Sequence, residues 1–167
     1  DNNGNVSTAT ATVTVEDNVA PTVITQDITV QLDATGAASI TTADIDNGSS
    51  DACGIQTMSL DITSFGCANV GANTVTLMVT DNNGNSASAT ATVTVEDNVA
   101  PTAIAQNLTV ELDASGAASI TAAQVDNGSS DACGIASLSL SQMEFDCDDQ
   151  GANTAVSYTH LTLPTNA

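Results

Sequence analysis

The stretch "GANTVTLMVTDNNGNSASATATVTVED" (Gly71–Asp97) carries the reading of the whole chain. In "TVTLMVT" (Thr74–Thr80), Val75, Leu77 and Val79 fall on every second position, and "ATATVTVE" (Ala89–Glu96) alternates Ala or Val with Thr. Successive strand side chains point to opposite faces, so a period of two marks strands with one face buried and one wet. Between the two runs stands "DNNGN" (Asp81–Asn85), whose Asn83-Gly84 step is a strong hairpin signal. Upstream, "DITVQLD" (Asp27–Asp33) sets Ile28, Val30 and Leu32 on one side, and "ATG" (Ala34–Gly36) and "DNGSSDACG" (Asp46–Gly54) are turn chemistry. No segment carries a convincing helical period. Six or seven short strands in about 80 residues predict an all-β sandwich.

The same pattern occurs twice. Shifting the sequence by 80 residues aligns Asp1–Thr74 with Asp81–Thr154, and 51 of the 74 positions are identical. So long a period fits whole small domains in tandem rather than solenoid turns. The expected organisation has residues 1–16 as the last hairpin of a preceding module and 17–96 as a complete module. Residues 97–154 are then a second module lacking its last two strands. The match ends after "GANT"; residues 155–167 hold the only Tyr and the only His and resemble translated sequencing-adapter read-through. This tail is read as non-native, and no role is given to His160.

Composition removes several function classes. The chain has no Lys or Arg against 20 Asp plus Glu, a formal charge of −20. Such a surface repels nucleic acid and anionic membranes, which need cationic partners, and attracts divalent cations. Schiff-base chemistry and phosphate-binding loops that use Lys are excluded, and no apolar run is long enough for direct membrane insertion. The 41% apolar fraction contains only 2% aromatics, so the core is built from small aliphatic side chains. With no His before the tail, no nucleophile motif and no aromatic platform for a sugar ring, the chain reads as no enzyme.

The run "DNVAPT…DACGI…GANTVTLMVTDNNGNSASATATVTVED" resembles hyalin-repeat (HYR-type) immunoglobulin-like modules. Such modules open with an acid shortly before Pro, carry a D-x-C-G step in mid-domain and close on D-x-x-G-N before the final strand. The resemblance covers residues 17–96 and most of 97–154, and it lacks the usual mid-domain aromatics. It implies tandem immunoglobulin-like β-sandwich modules of about 80 residues, extracellular and adhesive, typical of long secreted bacterial surface proteins. Fold does not fix function.

Cys53 and Cys67 stand 14 apart, and Cys133 and Cys147 repeat that spacing one unit later. One pair per module reads as an intra-module disulfide in an oxidising compartment. Free buried thiols and a metal site are the rival readings, the latter poor because two thiolates have no nearby His.

In an immunoglobulin-like sandwich, the loop between the last two strands lies at the pole where the chain enters. That places Asp81, Asn83 and Asn85 near the linker residues Glu16, Asp17 and Asn18, with Asp46 and Asp51 close by and Glu96 and Asp97 repeating the arrangement at the next joint. Calcium takes six to eight oxygens of these kinds, and Pro21 stiffens the connection. Two readings stand: junctional calcium, or acids and amides that merely cap turns. The repeats differ most at Asp61–Val70 against Ser141–Gln150, where the second gathers Glu144, Asp146, Asp148 and Asp149 in a weakly constrained exposed loop, a ligand-facing loop or a second cation site.

The function expected is a stiff structural and adhesive segment whose partners are neighbouring repeats and a glycan or cell-surface ligand. A glycan- or ice-binding module is the alternative, as is a filament-forming subunit. For the latter, Asp1–Glu16 matches 13 of 16 positions of Asp81–Glu96 and suits head-to-tail strand exchange.

Overall fold

The computed structural model describes residues 2–160. The first repeat runs through β1 (Ile28–Gln31), β2 (Ala37–Ser39), α1 (Thr42–Ile45), β3 (Ile55–Leu60), β4 (Ser64–Gly66), β5 (Gly71–Asp81) and β6 (Ser86–Glu96). A four-stranded sheet has the order β1-β6-β5-β3, and β2 pairs with β4 in a second, two-stranded sheet. The chain is therefore strand-rich, as expected.

The long hairpin β5–β6 organises everything else. It stays in register from Gly71↔Val95 to Thr80↔Ser86. The residues at alternate positions that the sequence assigns to the buried face are the core: Val75, Leu77 and Val79 from β5, with Ala91, Val93 and Val95 from β6. Ile40, Ile45 and Phe65, on or beside the β2–β4 side, close over them. β1 adds to β6 in parallel, Ile28↔Val93 through Gln31↔Glu96, and this edge is held by side chains as well. The Asp27 carboxylate accepts from Thr92 N at 2.7 Å, and Leu32 N donates to Glu96 O at 2.9 Å.

One element is not in the sequence reading. α1 is a single helical turn, closed because Thr41 N and Oγ1 each donate to Asp44 Oδ2 at 2.7 Å. One turn is too short to write a 3.6-residue period, so capping chemistry alone specifies it.

The second repeat has β7 (Ala118–Ser119), α2 (Ala122–Val125), β8 (Ser137–Leu140), β9 (Glu144–Phe145) and β10 (Ser157–His160). β7 pairs with β9 as β2 does with β4. β10 pairs antiparallel with β8, Ser157 opposite Leu140. That is the counterpart of Leu60↔Leu77, so the first residues of the tail read as non-native stand where β5 stands in the first repeat. The rest of that tail, 161–167, lies outside the described residues. Among the described residues no strand takes the place of β6. Leu108–Glu111, the counterpart of β1, is not a strand, and Leu108 and Val110 are 43% and 39% exposed. An open groove of about 740 Å³ lies between this segment and Phe145, Ala152 and Ala155.

Residues 5–16 form neither strand nor hairpin and are exposed along their length.

Candidate functional site

The joint between the repeats is where distant residues converge. At the head of the first repeat the incoming chain is held by backbone and side chain together. Thr22 and Ser50 exchange backbone hydrogen bonds at 2.8 and 2.9 Å, and Asn85 Nδ2 donates to Asp17 O at 3.1 Å. Asp17, Asp51 and Cys53 bring one ligand atom each to within 4.8 Å of one another, and Asp97, Asp131 and Cys133 repeat this trio at the head of the second repeat. A hydrogen bond to the Asp17 carboxylate, reinforced by the charges of Asp17, Asp51 and Asp81, pushes the Cys53 thiol above its ordinary range.

Asp81 caps its own turn, one of the two readings of these acids. It is fully buried at the tip of β5–β6. Its Oδ1 accepts from Asn83 N and Asn85 N, both at 2.8 Å, and its Oδ2 from Asn85 Nδ2 at 2.8 Å. Burial pushes this carboxyl up, but the bonds from Asn85, Asn83 and Gly84 outweigh it and hold the group below its ordinary 3.8. Three of the carboxylate's roughly four acceptor positions therefore serve the turn. Asp46 is similar: its oxygens accept from Ser49 N at 3.0 Å and Gly48 N at 3.4 Å. Glu16, Asn18 and Asn83 are exposed. Glu96 accepts from Gln31 Nε2 at 2.6 Å, and Asn98 Nδ2 donates to Gln31 Oε1, tying the linker to the foot of the first repeat.

Of the ten candidate cation ligands, then, the structure gathers one carboxylate pair at each joint, Asp17 with Asp51 and Asp97 with the unanticipated Asp131. Each pair already accepts locally: Asp17 Oδ1 from Val19 N, Asp51 Oδ1 from Cys53 N, Asp97 Oδ1 from Val99 N, Asp131 Oδ1 from Cys133 N. Two carboxylates fit a hard cation only in part, because calcium needs several further oxygens; the adjacent Cys53 Sγ is a soft donor, and Cys133 Sγ is held in a disulfide with Cys67. In the acidic loop of the second repeat, Asp146 and Asp149 are likewise engaged, accepting from Asp148 N at 2.8 Å and from Asp146 N at 3.0 Å.

The cysteine pairing differs from expectation. The bond joins Cys67 to Cys133, across the joint, with their Cα atoms 5.1 Å apart; Cys53 and Cys147 are unpaired and exposed. Neither Cys53–Cys67 nor Cys133–Cys147 forms. Cys53 lies by the Asp81 end of β5, since Asn82 Nδ2 donates to its carbonyl at 2.9 Å. Cys67 lies just before Gly71, where β5 begins. Ten strand steps separate these ends, roughly 33 Å, and a disulfide spans Cα atoms at most about 7 Å apart.

Cys67 rests on the turn after β1. Its Sγ is 3.9 Å from Gly36 O. Gly36 has φ +75°, and a Cβ there would stand 2.8 Å from Cys67 Sγ and 3.2 Å from the Cβ of Ala132 in the next repeat. Both the left-handed backbone and the approach of the second repeat therefore require glycine.

Comparison with protein-family models, with curated proteins and with solved structures finds no match.

Proposed function

We propose that this chain is a non-catalytic structural and adhesive segment of a large extracellular bacterial surface protein, in which immunoglobulin-like β-sandwich modules of hyalin-repeat type follow one another in tandem. The observation that carries the reading is the Cys67–Cys133 bond. It ties the foot of one repeat to the head of the next, so its mechanical effect falls on the joint. A protein whose cross-links fix the relative position of its repeats is a spacer or a scaffold. Such a bond also belongs to an oxidising compartment, in keeping with secretion.

Two packed sheets around an aliphatic core support the sandwich assignment, and strong negative charge without a cation suits an exposed surface that stays soluble. Calcium belongs to this reading as an accessory at the Asp17–Asp51 and Asp97–Asp131 pairs, completed by carbonyl or water oxygens. Its role is to lower repulsion between acids across the linker. A glycan or cell-surface molecule is the ligand class the adhesive role implies.

Small-angle scattering of the full chain before and after reduction tests it. The oxidised chain is expected to scatter as a particle with one fixed arrangement of repeats, and reduction is expected to broaden the distance distribution while the circular dichroism of the strands stays. Indistinguishable profiles would refute a stiffening role for the bond.

A further inference from the structure

The Cys67–Cys133 bond does not stand alone at the joint. Asp97, from the linker, and Asp131, from the turn before Cys133, each bring an oxygen to within 4.8 Å of the other and of Cys133 Sγ. Cys67 Sγ is bonded to that same sulfur, with the two Cα atoms 5.1 Å apart. Two sulfurs and two carboxylates, from three separate segments of the chain, therefore converge on one place.

Each of the four stands on backbone fixed by hydrogen bonds of its own. Asp97 Oδ1 accepts from Val99 N at 3.1 Å and Asp131 Oδ1 from Cys133 N at 2.7 Å. Both carboxylates are thereby oriented, and among the described residues the second oxygen of each accepts nothing. Cys67 opens a 3-10 turn, Cys67–Asn69, which Gly66 N closes by donating to Asn69 Oδ1 at 3.0 Å. The Asp97 and Asp131 segments are joined where Thr102 and Ser130 exchange backbone hydrogen bonds at 2.8 and 2.9 Å. Asn98 and Gln31 tie the linker to the foot of the first repeat. Contacts other than the disulfide thus keep the four side chains near one another.

Thiolate and carboxylate together are the donors of a borderline divalent ion. Calcium takes oxygen, whereas zinc takes four ligands in a tetrahedron, with Cys Sγ at about 2.3 Å and carboxylate oxygen at about 2.0–2.2 Å. Those lengths set the two sulfurs roughly 3.8 Å apart and each sulfur about 3.5 Å from an oxygen. Ligand atoms 4.8 Å apart or less reach that spacing by small side-chain movements, and Cα atoms 5.1 Å apart let the sulfurs part once their bond is broken. No His is needed, because the carboxylates take the places that imidazoles fill in commoner sites. The head of the first repeat supplies the comparison. Asp17, Asp51 and Cys53 form the same trio, but Cys53 is unpaired and the set is one sulfur short.

We propose that the joint is a redox-switched metal site: with the Cys67–Cys133 bond reduced, Cys67, Cys133, Asp97 and Asp131 bind one zinc ion, which replaces the disulfide as the cross-link between the repeats. The two states exclude each other, since a sulfur in the bond is not a thiolate. Two molecules of a small thiol such as glutathione give up two electrons and two protons, the Sγ–Sγ bond breaks, both cysteine thiols form, and the small thiols leave joined as a disulfide. Zinc then displaces both thiol protons to solvent as two Zn–S bonds form. The ion also brings positive charge to a chain that has no Lys or Arg and a formal charge of −20. The site rests on the joint alone and is independent of the adhesive role.

Cobalt reports such a site, because thiolate ligation gives it a near-ultraviolet charge-transfer band that carboxylate ligation does not. The full chain carrying Cys53→Ser and Cys147→Ser, which removes both unpaired thiols, is reduced with glutathione, freed of it under nitrogen, and titrated with cobalt and then zinc. One cobalt per chain with the thiolate band, displaced by zinc, is expected; the oxidised chain is expected to show no band. Cys67→Ser in the same background is expected to lower the band to about half and to weaken binding. Asp97→Asn with Asp131→Asn keeps oxygens that accept from Val99 N and Cys133 N, and is expected to weaken cobalt binding by more than about 10-fold. Re-formation of the Cys67–Cys133 bond on oxidation, read in a peptide map, shows that the joint of this variant still assembles; the Cys67→Ser comparison does not depend on it. Absence of the band in the reduced chain overturns the proposal. So does a band undiminished by Cys67→Ser, or an affinity untouched by the paired Asn variant. In each of these failures the oxidised chain keeps its stapled joint, so the scattering test of the proposed function is read separately.

Discussion

Asn85 donates its side-chain amide to the carbonyl oxygen of Asp17, 68 residues earlier, while the same amide donates to the buried carboxylate of Asp81. One side chain thereby ties the tip of the β5–β6 hairpin to the incoming linker. The linker into the first repeat thus has a structural use that needs no ion: Asp17 presents its carbonyl to a hairpin tip.

Asp81→Ala removes the acceptor for two backbone amides and one side-chain amide in a site closed to solvent. Buried donors left without partners are costly. The melting temperature of the first repeat is expected to fall by on the order of 10 °C, followed by near-ultraviolet or fluorescence-free calorimetric melting of the full chain. Asn85→Ala, which spares the carboxylate's two backbone bonds, is expected to cost less and to loosen the linker.

The pH dependence has a definite sign. Hydrogen bonds from Thr35, Thr41 and Ser49 lead the causes that hold Asp33, Asp44 and Asp46 below their ordinary 3.8, and Asp81 is depressed as well. A carboxylate whose folded value lies below its unfolded one stabilises the fold above the unfolded value, and that contribution is lost as pH falls through the folded value. Stability is therefore expected to hold from neutrality to about pH 4 and to drop below it. Denaturant melts at stepped pH check this; a loss of stability centred near pH 6 would contradict it.

Gly36→Ala places a Cβ against Cys67 Sγ and Ala132 on a backbone that disfavours it. Reduced chain carrying this change is expected to re-form the Cys67–Cys133 bond more slowly and less completely than the parent. Gly48→Ala, whose Cβ would meet nothing within 4 Å at a similarly positive φ of +94°, is the matched control for backbone strain. Equal effects of the two on bond formation would show that the approach of the second repeat is unimportant.

Cys67→Ser opens a closed segment of 66 residues. In the chain-entropy account such a loop contributes roughly 4 kcal/mol. Because the segment runs through both repeats, the loss is expected to show as two melting events where the oxidised parent has one. Calorimetry with and without the substitution reads this directly.

Calcium at millimolar concentration is expected to raise the melting temperature slightly and to compact the reduced chain. Asp17→Asn with Asp51→Asn is expected to remove the response at the first joint, while Asp46→Asn, whose carboxylate serves its own turn, leaves it unchanged. Isothermal titration that finds no heat and no competition by magnesium would reduce these pairs to turn chemistry.

Particular residues show why some of this was legible and some was not. Val75, Leu77 and Val79 announce a half-buried strand because period two is a local property, and all three are buried. Asp81 looks in sequence like any acid of a turn, and only the closure of the hairpin over it separates a buried acceptor from a free ligand. The cysteines mislead for a related reason. Fourteen residues in sequence suggest neighbours, yet β3 and β4 carry Cys67 to the other end of the repeat from Cys53. Asp131, absent from the sequence-based set of ligands, is found simply by carrying Asp51 forward one repeat.

Under tension the Cys67–Cys133 bond reroutes the load. Force entering at Asp17 reaches Cys67 and crosses at once to Cys133, so β5, β6, the Glu96–Pro101 linker, β7 and α2 hang outside the loaded path. Those 66 residues would otherwise release up to roughly 220–240 Å of contour if pulled straight. A chain stapled in this way can lose its fold in part and still not lengthen by that amount. It behaves as a tether with a built-in limit of extension.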